Sequence, residues 1–304
     1  HSTADEGFTF GGVLGQTLVP AGTATDVTVE LSGDITSAVW PMLHVDDGAA
    51  GTYEFGTVEG ADAPVVMNGE VASFPIWTVP HLRVKDQIVT MGDGMTMPEG
   101  MTPAVKVESV LADGPSIVVI HANDNGNAGA ILGAAFVPDG VSQNLTIELD
   151  PEAGITPVVW PMLHTDGGDV GVYVDNEVDP PVSVEDGVVT FTSNAAPALV
   201  MADQPAVDGT ITIKNALIDA PGWLALHADN NGAPGDVVAT AQLHSGANWN
   251  VQLTLPEGTA PGTTFFPMLH YDTGEAGVYE FGTVEGADAP VFVGGNVIFA
   301  PLTV

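Results

Sequence analysis

Two histidines and a methionine recur three times in this chain at constant spacing, and imidazole with thioether is a ligand set that suits copper. The later histidine closes the segments Trp40-Pro41-Met42-Leu43-His44, Trp160-Pro161-Met162-Leu163-His164 and Phe266-Pro267-Met268-Leu269-His270. The earlier one ends an apolar run, Ile117-Val118-Val119-Ile120-His121 and Trp223-Leu224-Ala225-Leu226-His227, 43 residues upstream in both. The same step back from His44 lands on His1. The candidate metal ligands are therefore His1, Met42 and His44; His121, Met162 and His164; and His227, Met268 and His270. Strand periodicity puts Trp40, Met42 and His44 on one face, and likewise Trp160, Met162 and His164. The structural reading of the same residues ranks ahead: Trp and Met form core, and each histidine hydrogen-bonds a nearby Asp/Gly loop, since short-loop β proteins use polar side chains to tie turns.

A second candidate chemistry lies in the loops Ala122-Asn123-Asp124-Asn125-Gly126 and Ala228-Asp229-Asn230-Asn231-Gly232, whose oxygens are of the kind Ca²⁺ takes. They lack the twelve-residue calcium loop with its terminal Glu, and an Asx-rich hairpin turn is the preferred reading. Calcium and copper are thus the candidate cofactors, and divalent cations candidate partners. There is no cysteine, which excludes a blue-copper centre, disulfides and thiolate sites. An amino-terminal histidine could suggest a copper brace, but His1 matches the internal His121 and His227, so it reads as one position of a repeat. No Ser/His/Asp arrangement and no phosphate-cradling Gly loop stands out. Near-repetition of every polar feature fits a scaffold better than a single active site, and we expect no enzyme.

Thirty-nine acidic residues face four basic ones, Arg83, Lys85, Lys106 and Lys214, for a formal charge of −35. A phosphate backbone needs a basic face, so nucleic acid is excluded as a partner. Anionic membrane surfaces are disfavoured on the same ground, and no apolar run is long enough to insert. Self-assembly has to overcome the repulsion by strand pairing, apolar contact or bound cations, so salt should matter.

Elements that position these residues follow from the repeat. Each copy continues as His-x-Asp-x-Gly-x-x-Gly-x-Tyr, through Asp46, Gly51 and Tyr53, then Asp166, Gly171 and Tyr173, then Asp272, Gly277 and Tyr279; residues 53–65 recur identically at 279–291. Alternation over 26–31, 144–149 and 250–255 predicts half-buried strands, and 188–192 a closing strand. With the Gly- and Pro-rich turns, each copy offers about seven strands, and the fold class is all-β: three tandem antiparallel sandwiches, immunoglobulin-like or cupredoxin-like. The proline in each motif predicts an edge strand or a bulge. The expected organisation is an incomplete copy at 1–80, lacking the leading strands that the others carry at 102–120 and 208–226. A linker or exchangeable arm follows at 81–101, then complete copies at 102–194 and 195–304. Asn144-Leu145-Thr146 is a glycosylation pattern.

The run Ile120-His121-Ala122-Asn123-Asp124-Asn125-Gly126, followed by Trp160-Pro161-Met162-Leu163-His164 with Asp166 and Gly168, resembles a tandem domain of unknown function in exported surface proteins of archaea and bacteria. The resemblance implies a cell-surface or extracellular location and brings no catalytic residues. The leading expectation is a structural subunit of an extracellular filament, sheath or stalk, a homopolymer assembled by inter-subunit strand complementation. A metal-binding surface module is the alternative. A carbohydrate-binding or adhesive module ranks third, because it would expose rows of aromatic residues.

Overall fold

The computed structural model describes residues 1, 10–67, 70–185 and 187–304, and among them there is no helix. The chain divides into two compact units, His1–His81 with Leu111–Asp113, and the remainder.

The larger unit holds the second and third copies, each a sandwich of a three-stranded and a four-stranded sheet. In the second copy the smaller sheet runs in the order His81–Val84, Ala104–Ala112, Gly140–Glu148. The larger runs Ser193–Asn194, Val158–Thr165, Ser116–Asp124, Asn127–Val137. The third copy repeats this with Ala198–Val200, Thr210–Ile218 and Gly246–Thr254 against Pro234–Leu243, Gly222–Asp229, Thr264–Tyr271 and Leu302–Thr303. The two sheets supply the seven strands expected of each complete copy, and a short hairpin adds two more, Ser183–Val184 with Gly187–Val188 in the second copy and Phe292–Val293 with Asn296–Val297 in the third. The core lies between the two sheets. In the third copy it joins Ile211, Ile213 and Leu253 of one sheet to Leu224, Leu226, Leu269 and Leu302 of the other. Alternation along each strand dictates which side chains enter it, and Ile147 and Leu149 are buried as their pattern requires.

Backbone demands explain two features of the sequence. Asp26, Asn144 and Asn250 open the three equivalent alternating segments with φ of 56°, 55° and 54°, a left-handed conformation that Asn and Asp tolerate better than other side chains. Asn144 is therefore fixed by its backbone whatever its fate as a glycosylation acceptor. Pro161 and Pro267 stand on strands that are internal by sheet order, which corrects the edge expectation, and Pro41 lies outside any strand. Pro161 nonetheless faces an interrupted neighbour. Its carbonyl accepts from Phe191 N–H and Thr190 Oγ1–H at 3.0 Å, outside the regular ladder, so the missing donor falls where pairing is already irregular.

The 81–101 passage differs from an exchangeable arm. Leu82 and Val84 are buried in the core of the second copy, because His81–Val84 alternates as a strand. Beyond it, Gln87 N–H donates to Asn194 O and Val89 N–H to Ala195 O. Asp86 accepts from Asn194 N–H and from the side-chain amide of Asn215, and Asp93 accepts from Gly294 and Gly295 N–H. The segment thus lies between the second and third copies. The third copy carries a counterpart: Gln204 clasps the Thr212 backbone as Gln87 clasps that of Lys106, across 8 residues in place of 19, which locates the insertion.

The smaller unit holds the first copy. Ala38–Val39 pairs with Ile76–Trp77, and His1 exchanges both backbone hydrogen bonds with Trp40, at 3.0 and 2.8 Å. That pairing is the equivalent of His121 opposite Trp160 and His227 opposite Phe266, so His1 takes the mid-domain place its spacing predicts. The leucine of the motif differs between copies: Leu43 is 48% exposed where Leu163 and Leu269 are 0%. Val29 and Leu31 are likewise exposed, whereas Ile147 and Leu253 at the first position and Leu149 and Leu255 at the second are buried.

Candidate functional site

In the second and third copies the six candidate ligands lie on the outer face of the larger sheet, the face turned away from the core. In the third copy the register sets Trp223 opposite His270, Ala225 opposite Met268 and His227 opposite Phe266. Residues opposite one another share a face, so Met268 and Ala225 separate the two histidines along the strands. The second copy is the same, with Met162 opposite Val119 between His164 and His121. Expecting Trp and Met as sandwich core is therefore corrected. Trp160 and Met162 are half-buried outside it, because alternation gives the inner face to Pro161 and Leu163.

Four residues of strand, about 13 Å, would separate imidazoles that stood straight out from the sheet. Instead the rings close on each other, with centres 5.8 Å apart for His1 and His44, 5.7 Å for His121 and His164, and 5.5 Å for His227 and His270. A backbone irregularity helps to aim one member of the pairs in the second and third copies. The ladder is bulged at both His121 and His227 against the next strand, a device that redirects a side chain. At the bulge His121 Nδ1 donates to Gly129 O at 3.0 Å, and His227 Nδ1 to Gly235 O at 2.8 Å. Glycine is required there: a Cβ on Gly129 would stand 2.9 Å from that of Asp124.

The other histidine is held by the loop that follows it. His44, His164 and His270 donate from Nδ1 to the carbonyls of Asp62, Asp179 and Asp288, at 2.7, 2.8 and 2.7 Å. These aspartates in turn pin the loop. Asp179 accepts from Gly167 and Val174 N–H, and Asp288 from Thr273 and Glu280 N–H. The N–H donors hold the Asp179 carboxyl below the usual carboxylate range. The motif aspartates add a second tie: Asp46, Asp166 and Asp272 accept from the N–H of Gly51, Gly171 and Gly277, each at φ near +80°. The His-x-Asp-x-Gly-x-x-Gly pattern thus encodes a roof. It brings Tyr173 onto His164, and Tyr279 and Phe281 onto His270.

Every Nδ1 faces a carbonyl oxygen, which can only accept, so each carries the proton and each Nε2 presents a lone pair. In the third copy the two Nε2 atoms are 3.3 Å apart. In the second, Nε2 of both His121 and His164 is buried without a hydrogen-bond partner. In the first, Tyr53 hydroxyl reaches His44 Nε2 at 3.3 Å. Burial pushes His121 and His164 below the ordinary histidine range, and takes His270 down to about 4, helped by His227 beside it. Tyr279 is pushed up by burial and by Asp288.

The Asx loops are occupied otherwise. Asn123 Oδ1 accepts from Gly126 N–H and from Trp160 Nε1–H, at 3.1 and 2.9 Å, and Asp229 Oδ1 from Gly232 N–H at 2.7 Å. Their oxygens tie turns, as the preferred reading has it. Among the described residues no group of three or more His, Cys, Asp or Glu side chains is placed to share an ion. Asp62, Asp179 and Asp288 were missed by sequence reasoning, although each precedes Ala-Pro or Pro-Pro, 18, 15 and 18 residues after its histidine.

Comparison with family models finds the domain of unknown function DUF7282 three times, over residues 1–75, 89–196 and 197–304. The chain belongs to the DUF7282 family. The second DUF7282 match opens beyond the His81–Val84 strand, whereas the third includes Ala198–Val200, its counterpart. No curated protein matches the chain. Among solved structures it is similar to one titled "Biofilm associated protein - BSP domain", at 12% identity and a TM-score of 0.26. The match covers 74% of this chain and 29% of that one.

Proposed function

We propose that this chain is a structural module of an extracellular surface assembly, in which strands from a neighbouring molecule pack on the exposed apolar residues of the first DUF7282 copy. The observation that carries this reading is the contrast between Leu43 at 48% exposure and Leu163 at 0%. Each sits at the same place in the same motif, and in the second copy strands such as Ala104–Ala112 cover it. Exposed strand edges are templates for strand addition, and main-chain hydrogen bonds would give such a joint its strength. The acidic surface, at a formal charge of −35, keeps the chains soluble until apolar contact of this kind offsets repulsion. The 81–101 passage is not the donor in this reading, since residues 85–93 are already engaged between the second and third copies.

Electron microscopy of native material, paired with the intact mass of the dissociated chain, tests the proposal. Ordered filaments built from chains of about 31.1 kDa support inter-subunit complementation. Isolated particles of a heavier chain that carries its own leading strands would overturn the complementation.

A further inference from the structure

We propose that the paired histidines of each complete copy, His227 with His270 and His121 with His164, hold one Cu(I) ion between their Nε2 atoms. The argument begins with the direction of the lone pairs. In the third copy the ring centres are 5.5 Å apart and the nitrogens 3.3 Å, with the planes within 18°. The difference between those distances is the width of one imidazole ring, so both Nε2 atoms lie on the line joining the rings. The lone pairs point head-on.

Two neutral imidazoles cannot satisfy that arrangement by themselves. Moving a proton to either Nε2 would leave an Nδ1 lone pair facing a carbonyl, Gly235 at 2.8 Å or Asp288 at 2.7 Å. Buried polar atoms without partners cost about 1–3 kcal/mol each, yet the second copy repeats the device with two orphaned Nε2 atoms on residues 6% and 0% exposed. A cation between the nitrogens resolves the conflict. Metal-binding histidines characteristically donate the other ring N–H to a carbonyl, which fixes the tautomer and orients the lone pair; all four histidines here do so.

The number of ligands selects the ion. Zn²⁺ wants four donors and Ca²⁺ six or more oxygens, and no third His, Cys, Asp or Glu joins either pair among the described residues. A d¹⁰ Cu(I) ion accepts two nitrogens in line. Metal–imidazole bonds of about 2 Å ask for nitrogens about 4 Å apart, so the rings need part only slightly. The Tyr279 and Phe281 roof over His270 shields the ion from water. The first copy is outside the proposal, because Tyr53 hydroxyl engages His44 Nε2.

The test is an anaerobic titration of the full chain with Cu(I) against a coloured Cu(I) chelator, alongside copper X-ray absorption of the loaded protein. His227→Phe and His121→Phe should each remove one equivalent while circular dichroism shows the strands retained, and the wild-type spectrum should show two nitrogen neighbours and no sulfur. Met268→Leu should leave the stoichiometry unchanged. Uptake that neither histidine substitution lowers, or no uptake in competition, would overturn the proposal, the latter leaving only a proton to share between the rings. Sulfur in the copper shell would overturn the two-nitrogen assignment. The absorption spectrum is taken on the unaltered chain, so it decides even if a variant misfolds.

Discussion

Asp86 accepts the backbone N–H of Asn194 with one carboxylate oxygen, at 2.8 Å, and the side-chain amide of Asn215 with the other, at 3.0 Å. One residue, ahead of the second copy's main strands, therefore holds the last strand of that copy and a buried asparagine of the next. Asp86→Ala should destabilise the chain by about 1–3 kcal/mol. It should also split a shared unfolding transition of copies two and three into separate ones. Urea denaturation followed by Trp fluorescence checks both.

The two motif leucines should respond differently to truncation. Leu163→Ala removes a fully buried side chain and should cost about 2–5 kcal/mol. Leu43→Ala, at a half-exposed site, should stay within about 0.5 kcal/mol. Paired denaturation curves decide; equal losses would mean that Leu43 is buried in solution.

The roof over the histidines depends on its pinning carboxylates. Asp179→Asn weakens the acceptor of Gly167 and Val174 N–H. Hydrogen exchange should accelerate at those two amides and hardly change at Val118, on the strand beneath.

Acid should destabilise the metal-free protein through His270. Its folded value is about 4 against an ordinary 6.5, so between those pH values the unfolded chain binds a proton that the folded chain refuses. Stability is fully present above about 6.5 and falls as pH drops towards 4, by on the order of 3 kcal/mol. His270→Phe should flatten that limb, and the difference between the two chains' stability–pH curves measures it free of the background from the many carboxylates.

Salt should stabilise. With a formal charge of −35 the folded state repels itself, and that repulsion is screened as the Debye length shrinks from about 10 Å at 0.1 M to about 3 Å at 1 M. Thermal unfolding in NaCl should show Tm rising over that range; a Tm that falls or stays level would mean the charges are already neutralised by bound cations.

Much of this architecture was legible in the residues. Alternation at Ile147 and Leu149 located a strand, and the equal spacing of His121 to His164 and His227 to His270 paired residues that do meet. What alternation could not say was which face would be the core, since a strand buried on both sides is apolar throughout: Ile117 to His121 is buried at every position. The docking of 85–93 was also illegible. Its partners Asn194, Asn215 and Gly294 lie more than 100 residues away, and contacts of that range leave no local period to read. The pinning role of Asp179 was hidden for another reason: a carboxylate that accepts backbone N–H looks, in sequence, like any other loop acid.

The strap at 85–93 gives the second and third copies a mechanical character that a string of beads would lack. Pulled from its ends, a chain with bare linkers swivels and straightens at each joint under small forces before any domain yields. Here the joint is closed by Asp86 and Asp93 at opposite ends of one half-buried segment centred on buried Val89. Tension must strip that segment in shear before the copies can pivot. The pair should resist extension as a short stiff rod, and its first length gain should be the release of the strap.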